Sequence, residues 1–158
     1  MTDGTHLRPF FPSASDFAAA TTPHFQFLVD DFGYAPPTVE ESIAGLFEVR
    51  YDGGTGAVLL NWDVEGGFIG VHLIPRQKHG ELQPDPERWL RPNEILAARG
   101  ALNRSVNQAD LDGVDEHGYA KQMQREAANL REFCADVLRG DWSIFDSAHS
   151  WFEKHPLG

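Results

Sequence analysis

The chain is poor in cysteine and in positive charge, and it has no long apolar run. A lone cysteine, Cys134, leaves no internal disulfide to form and fits a reducing compartment. No stretch approaches the roughly 20 apolar residues that a helix needs to cross a bilayer, and no basic segment followed by an apolar one opens the chain. The expected location is therefore cytoplasmic, with no membrane partner. Thirteen basic residues against twenty-four acidic ones give a net charge of -11, which repels a nucleic-acid backbone.

Motifs of cofactor and metal chemistry are also missing. The seven histidines show neither HxH nor HxxxH spacing, so no zinc site is expected. The acidic loop from Asp110 to Glu116 fails the EF-hand pattern. Counted from Asp110, position 5 is Val114, which has no side-chain oxygen, and position 12 is Lys121, which repels a cation. The segment Asp52-Gly53-Gly54-Thr55-Gly56 lacks the lysine-Ser/Thr pair of a phosphate loop and precedes a strand, not a helix. No cofactor is implied.

What is present is a folding pattern. At 158 residues and 41% hydrophobic content the chain is expected to form a single domain over 1–158, with residues 1–12 as a loose N-terminal arm. Three runs, about 46–51, 57–64 and 68–74, alternate apolar and polar residues with the period of two that marks half-buried strands. Phe47, Val49 and Tyr51 share one parity, Val58, Leu60, Trp62 and Val64 share another, and Ile69, Val71 and Leu73 complete the set of oily faces. A four-residue loop at 52–55 sets Val49 against Val58, and a two-residue turn at Gly66-Gly67 sets Trp62 against Val71 and Asn61 against His72.

Helical spacing flanks these runs. A helix is expected to start near Ser15 or at Thr22, where Thr22 and Pro23 suit an N-cap and a first helical position, ahead of the stripe Phe25, Leu28, Val29 and Phe32. A short helix over about 93–102 and a long one over about 116–139 follow; the latter carries Met123, Ala127, Leu130, Cys134 and Val137 on one stripe, and Gly140 ends it. A last helix from Asp141 carries Trp142, Phe145, Ala148 and Phe152. The fold class is α+β: an antiparallel meander of at least three strands, packed on one face by an N-terminal helix and two or three C-terminal helices. Cys134, on the apolar stripe, reads as a small hydrophobe and not as a nucleophile.

The opposite sheet face is mixed. It carries Glu48, Arg50, Leu59, Asn61, Asp63, Phe68, Gly70, His72 and Ile74. Charges interspersed with apolar groups suit a protein contact. The acids are concentrated as well: eight lie between Asp30 and Glu65 against the single Arg50, and Asp110, Asp112, Asp115 and Glu116 form a second group. Such charge attracts a basic partner and mainly speeds association.

Phe47-Glu48-Val49-Arg50-Tyr51, Val58-Leu59-Leu60-Asn61-Trp62-Asp63 and a late Val137-Leu138-Arg139-Gly140-Asp141-Trp142, set in a small acidic α+β domain, resemble the bacterial immunity-type proteins that neutralise toxins. The resemblance is one of pattern. It implies stoichiometric binding of a cognate toxin and assigns no role to any residue. The leading expectation is thus a non-catalytic protein-binding module with a basic protein partner. Glu48, Asp63, Phe68 and His72 are its contact residues, and Asp110, Asp112 and Asp115 its steering charges. One alternative is a small hydrolase or isomerase using Asp63 and His72, diagonal neighbours in the register above, as an acid–base pair. Another is a structural subunit of a homo-oligomer.

Overall fold

The structure, a computed structural model, describes Phe11 and residues 13–42, 46–63, 68–100 and 116–145. Along them run α1 (Ala14–Phe25), α2 (Phe27–Asp30), β1 (Thr38–Glu41), β2 (Leu46–Asp52), β3 (Gly56–Asp63), β4 (Phe68–Pro75), a 3-10 turn at Pro86–Arg88, α3 (Pro92–Ala98), α4 (Glu116–Phe133) and α5 (Ala135–Leu138). The strands form one antiparallel sheet in the order β1-β2-β3-β4. This is the expected α+β meander, extended by β1, a fourth strand that follows Pro36-Pro37.

Period-two alternation sorts the side chains. Phe47, Val49, Tyr51, Val58, Leu60, Trp62, Ile69, Val71 and Leu73 are all buried in one cluster, together with Phe17 and Phe25 of α1, Leu28 of α2, Leu96 of α3, Met123 and Leu130 of α4 and Val137 of α5. The helices therefore cover the oily flank, and each large side chain buried there contributes about 1.5–3 kcal/mol.

Parity is as expected, but both registers differ by two residues. Val49 pairs with Leu60 and Tyr51 with Val58, so the first loop closes at Asp52 and Ala57. Trp62 pairs with Ile69 and Asp63 with Phe68, so four residues, not two, separate the second pair of strands. A shift of two keeps every side chain on its face, which is why the pattern alone could not exclude it.

Other boundaries move for identifiable reasons. Of the two expected starts, near Ser15 or at Thr22, the first is observed: the helix begins at Ala14, where Ser13 Oγ accepts from the Asp16 N–H at 3.2 Å. Its stripe Ala14, Phe17, Ala18, Thr21 and Phe25 is buried, and this packing carries the helix through Pro23. Phe11 is not part of a loose arm: it is 2% exposed, with its ring edge-on to Phe17 at 5.2 Å and to Trp62 at 5.1 Å. The long C-terminal helix breaks at Cys134, whose φ of -119° and ψ of 13° leave the helical region, and α5 ends before Gly140 at φ +106°. Of the expected last helix, Trp142 and Phe145 fall among the described residues; Ala148 and Phe152 lie outside them.

After β4 the chain folds back over the mixed face. Leu73 and Leu90 exchange both backbone hydrogen bonds, at 2.6 and 2.9 Å, and the Gln83 N–H donates to the Pro75 carbonyl at 2.9 Å. Arg76 secures the start of this strap: Nε donates to the Gly53 carbonyl at 2.9 Å, Nη1 donates to the Gly80 carbonyl at 2.8 Å, and Nη2 lies 3.6 Å from Asp52. Under the strap, Ala57, Leu59 and Ile74 form a second small core with Leu82 and Trp89.

The hairpin between β2 and β3 supplies a test of this packing. A Cβ added at Gly56 would lie 2.5 Å from the Trp142 ring and 2.6 Å from the Ile74 carbonyl, whereas one added at Gly54 meets nothing within 4 Å. Gly56→Ala is expected to lower the unfolding free energy by about 1–3 kcal/mol, and Gly54→Ala to change it by no more than about 0.5 kcal/mol; chemical denaturation of both variants checks this.

Candidate functional site

The strap divides the mixed face into two depressions on either side of Trp89. The indole is fixed by its Nε1–H, which donates to the Gln83 carbonyl at 2.7 Å, and its ring stands edge-on to His72 with centroids 5.6 Å apart. Trp89, Leu59 and Glu48 border both depressions.

The smaller depression has a volume of about 230 Å³. Leu59, Ile74, Leu82 and Trp89 make its apolar floor and wall, and Thr38, Glu40, Glu48 and Arg50 line its sheet side. Glu40 of β1 lies directly opposite Glu48 of β2. Side chains so placed on one face have Cβ atoms about 4.5–5.5 Å apart, and like charges there repel. Burial first, and Glu40 second, hold the Glu48 carboxyl above its ordinary value, with Arg50 acting against them. Arg50 is itself engaged by Asp52 at 3.3 Å. Two acids thus face each other beside an apolar floor, and Arg50, which lines the same side, is already paired with Asp52.

The larger depression, about 690 Å³, runs from His72 and Asn61 towards α3 and α4, with Arg91, Gln122, Arg125 and Glu126 on its far side. Asn61 Nδ2 lies 3.3 Å from His72 Nε2, which fits donation to a neutral imidazole. Gly70, opposite Asn61 on β4, leaves the room this pair occupies: an added Cβ would collide with Asn61 Oδ1 and come 2.9 Å from His72 Nε2. Burial, and then the positive Arg91, push the His72 imidazole down to about 4. Glu126, 8% exposed, has its carboxyl raised by burial and partly rescued by Arg125 at 3.4 Å.

Glu48 and His72, both expected as contact residues, share this face: both line the larger depression, and Glu48 also lines the smaller one. Asp63 and Phe68 pair with each other at the far end of β3 and β4; their side chains lie outside the described residues, as do Asp110, Asp112 and Asp115. The Asp63/His72 acid–base pair is not formed by this register. His72 is opposite Leu59 and Asp63 opposite Phe68, four positions apart along the ladder and about 14 Å at roughly 3.4 Å per residue. The two-residue turn expected from the sequence makes them diagonal neighbours instead.

Nothing in the local sequence marks Trp89 or Glu40 as a site residue. Their place in the site depends on the strap and on β1. Cys134 is fully buried in the core, and burial drives its thiol up to about 12. No helix among the described residues is long and apolar enough to cross a membrane. No protein-family model, curated protein or solved structure matches the chain.

The depressed His72 has a consequence for stability. The unfolded chain takes up its proton near pH 6.5 and the folded chain only near 4, so stability attached to His72 is complete above 6.5 and is lost as pH falls towards 4. The raised Glu48 and Glu126 work the other way, so the informative measurement is a difference between proteins. Relative to wild type, His72→Gln is expected to lose less stability between pH 7 and 4.5, by up to about 3 kcal/mol. A His72 imidazole titrating near 6.5 by NMR would contradict this.

Proposed function

We propose that the protein is a binding module whose smaller depression receives a lysine or arginine side chain from a basic protein partner. The observation that carries this reading is the opposed pair Glu40 and Glu48, set at the rim of an apolar slot beside the Trp89 ring. A long basic side chain has the matching parts, an apolar stem for Leu59, Ile74 and Leu82 and a cationic head for the carboxylates. An indole face adds attraction for that head. At about 230 Å³ the slot falls below the usual 300–1,000 Å³ range of drug-sized ligand sites. It suits one side chain better than a whole small molecule.

Binding also relieves a cost. Two glutamates held opposite one another destabilise the unbound sheet, and a cation between them removes the repulsion. The net charge of -11 favours approach of a basic partner. Occlusion of such a partner is what an immunity-type role requires, and the resemblance noted above supports that wider assignment.

The test is a pair of measurements on each variant. Glu48→Gln is expected to weaken binding of a blocked lysine amide or an arginine amide about tenfold, while raising fold stability by a few tenths of a kcal/mol after solvent screening. Trp89→Ala is expected to weaken both ligands, and added salt to weaken them in the wild type. Calorimetric titration reads the affinities. Unchanged affinity in Glu48→Gln, or binding that strengthens with salt, rules the proposal out.

A further inference from the structure

The two edges of the sheet are treated differently. The outer edge of β4 is closed at three points: Gln122 Nε2 donates to the Ile69 carbonyl at 2.9 Å, Leu73 exchanges both bonds with Leu90, and the Pro75 carbonyl accepts from Gln83. β1 has no such cover among the described residues, and all four of its residues are exposed. The Ser42 N–H donates to the Leu46 carbonyl at 2.9 Å, which fixes the phase of the ladder. Thr38 and Glu40 turn their backbone groups towards β2, and Val39 and Glu41 turn theirs outward. Val39 is also the exposed large hydrophobic residue of the described chain, at 42%.

We propose that this edge takes an extended segment of the basic partner as a fifth strand, and that the strand delivers its lysine or arginine into the slot. The proposal rests on the reading above and adds how the partner is held. Strand addition supplies main-chain hydrogen bonds, and alternate side chains supply specificity. A residue beside Glu40 on such a strand shares the flank of Glu40, where the slot opens, and its two neighbours share the flank of Val39. Charge selects the occupant. A second copy of this chain would set its own Glu40 and Glu41 against these two, whereas a basic segment meets them with opposite charge.

The experiment titrates the full chain with two probes, a blocked lysine amide and a blocked peptide of alternating lysine and valine. The wild type is expected to bind the peptide ~tenfold or more above the amide. Val39→Pro removes an outward N–H and no bond to β2, so the peptide is expected to fall to the level of the amide while the amide is unaffected. The same peptide N-methylated at alternate residues, tested on wild type, should lose the same advantage without any change to the fold. Peptide binding that survives both changes overturns strand addition and leaves the slot intact. Failure of the amide alone overturns the slot, with strand addition still read from the peptide. A concentration-dependent dimer in sedimentation that Val39→Pro abolishes assigns the edge to a second copy and overturns the proposal.

Discussion

Everything particular to the polar flank depends on the chain doubling back along β4, and that reversal is held by few bonds. The reciprocal pair between Leu73 and Leu90 carries it at one end, with Leu90 fully buried. At the other end Arg76 ties the strap to the hairpin carbonyl of Gly53 and to Asp52. Each backbone bond contributes only about 0.5–1.5 kcal/mol net, so the small apolar core beneath must share the load. Leu82 and Trp89 close over Leu59 and Ile74, turning an otherwise wet sheet face into a partly dry one. Drying that face is what gives its charges consequence, because the effective dielectric falls where water is displaced.

The two flanks are therefore stabilised by different means. Beneath the helices, aromatic and aliphatic side chains fill a single cluster that reaches from Phe11 to Leu138. Beneath the strap, a few apolar residues share space with Glu48, Arg50, Asn61 and His72. The second arrangement is weaker and more specific. Acids left opposite one another cost stability that the first flank supplies, and the imidazole held neutral by burial and Arg91 adds a cost only as pH falls below 6.5.

The sequence and the structure agree where one physical rule dominates. Faces were legible because parity is binary: Val58, Leu60 and Trp62 either join Phe47, Val49 and Tyr51 or they do not. Register was not legible, since sliding by two preserves every face and only the loop can choose. Gly66-Gly67 looked sufficient for a tight turn, yet pairing stops at Asp63 and Phe68. That difference alone separated Asp63 from His72. β1 stayed hidden because Thr38–Glu41 is short, acidic and preceded by two prolines, with no alternation to announce it. At the N-terminal helix the choice between a start near Ser15 and one at Thr22 was likewise settled by packing. Local cues at Thr22 and Pro23 were sound, but burial of Phe17 and Thr21 outweighed them. Of the site, Glu48 and His72 were readable from their face; Glu40 and Trp89 needed long-range pairing to place them.

Cys134 gives the molecule a built-in reporter. It is the only sulfhydryl in the chain, it sits with no exposure at the joint between α4 and α5, and its ionisation is suppressed by its surroundings. Alkylating reagents act on the thiolate, so this sulfur stays inert while the joint is shut. The rate at which it is modified under native conditions thus measures how often these two helices part from the sheet, without a label, a second cysteine or any change to the sequence.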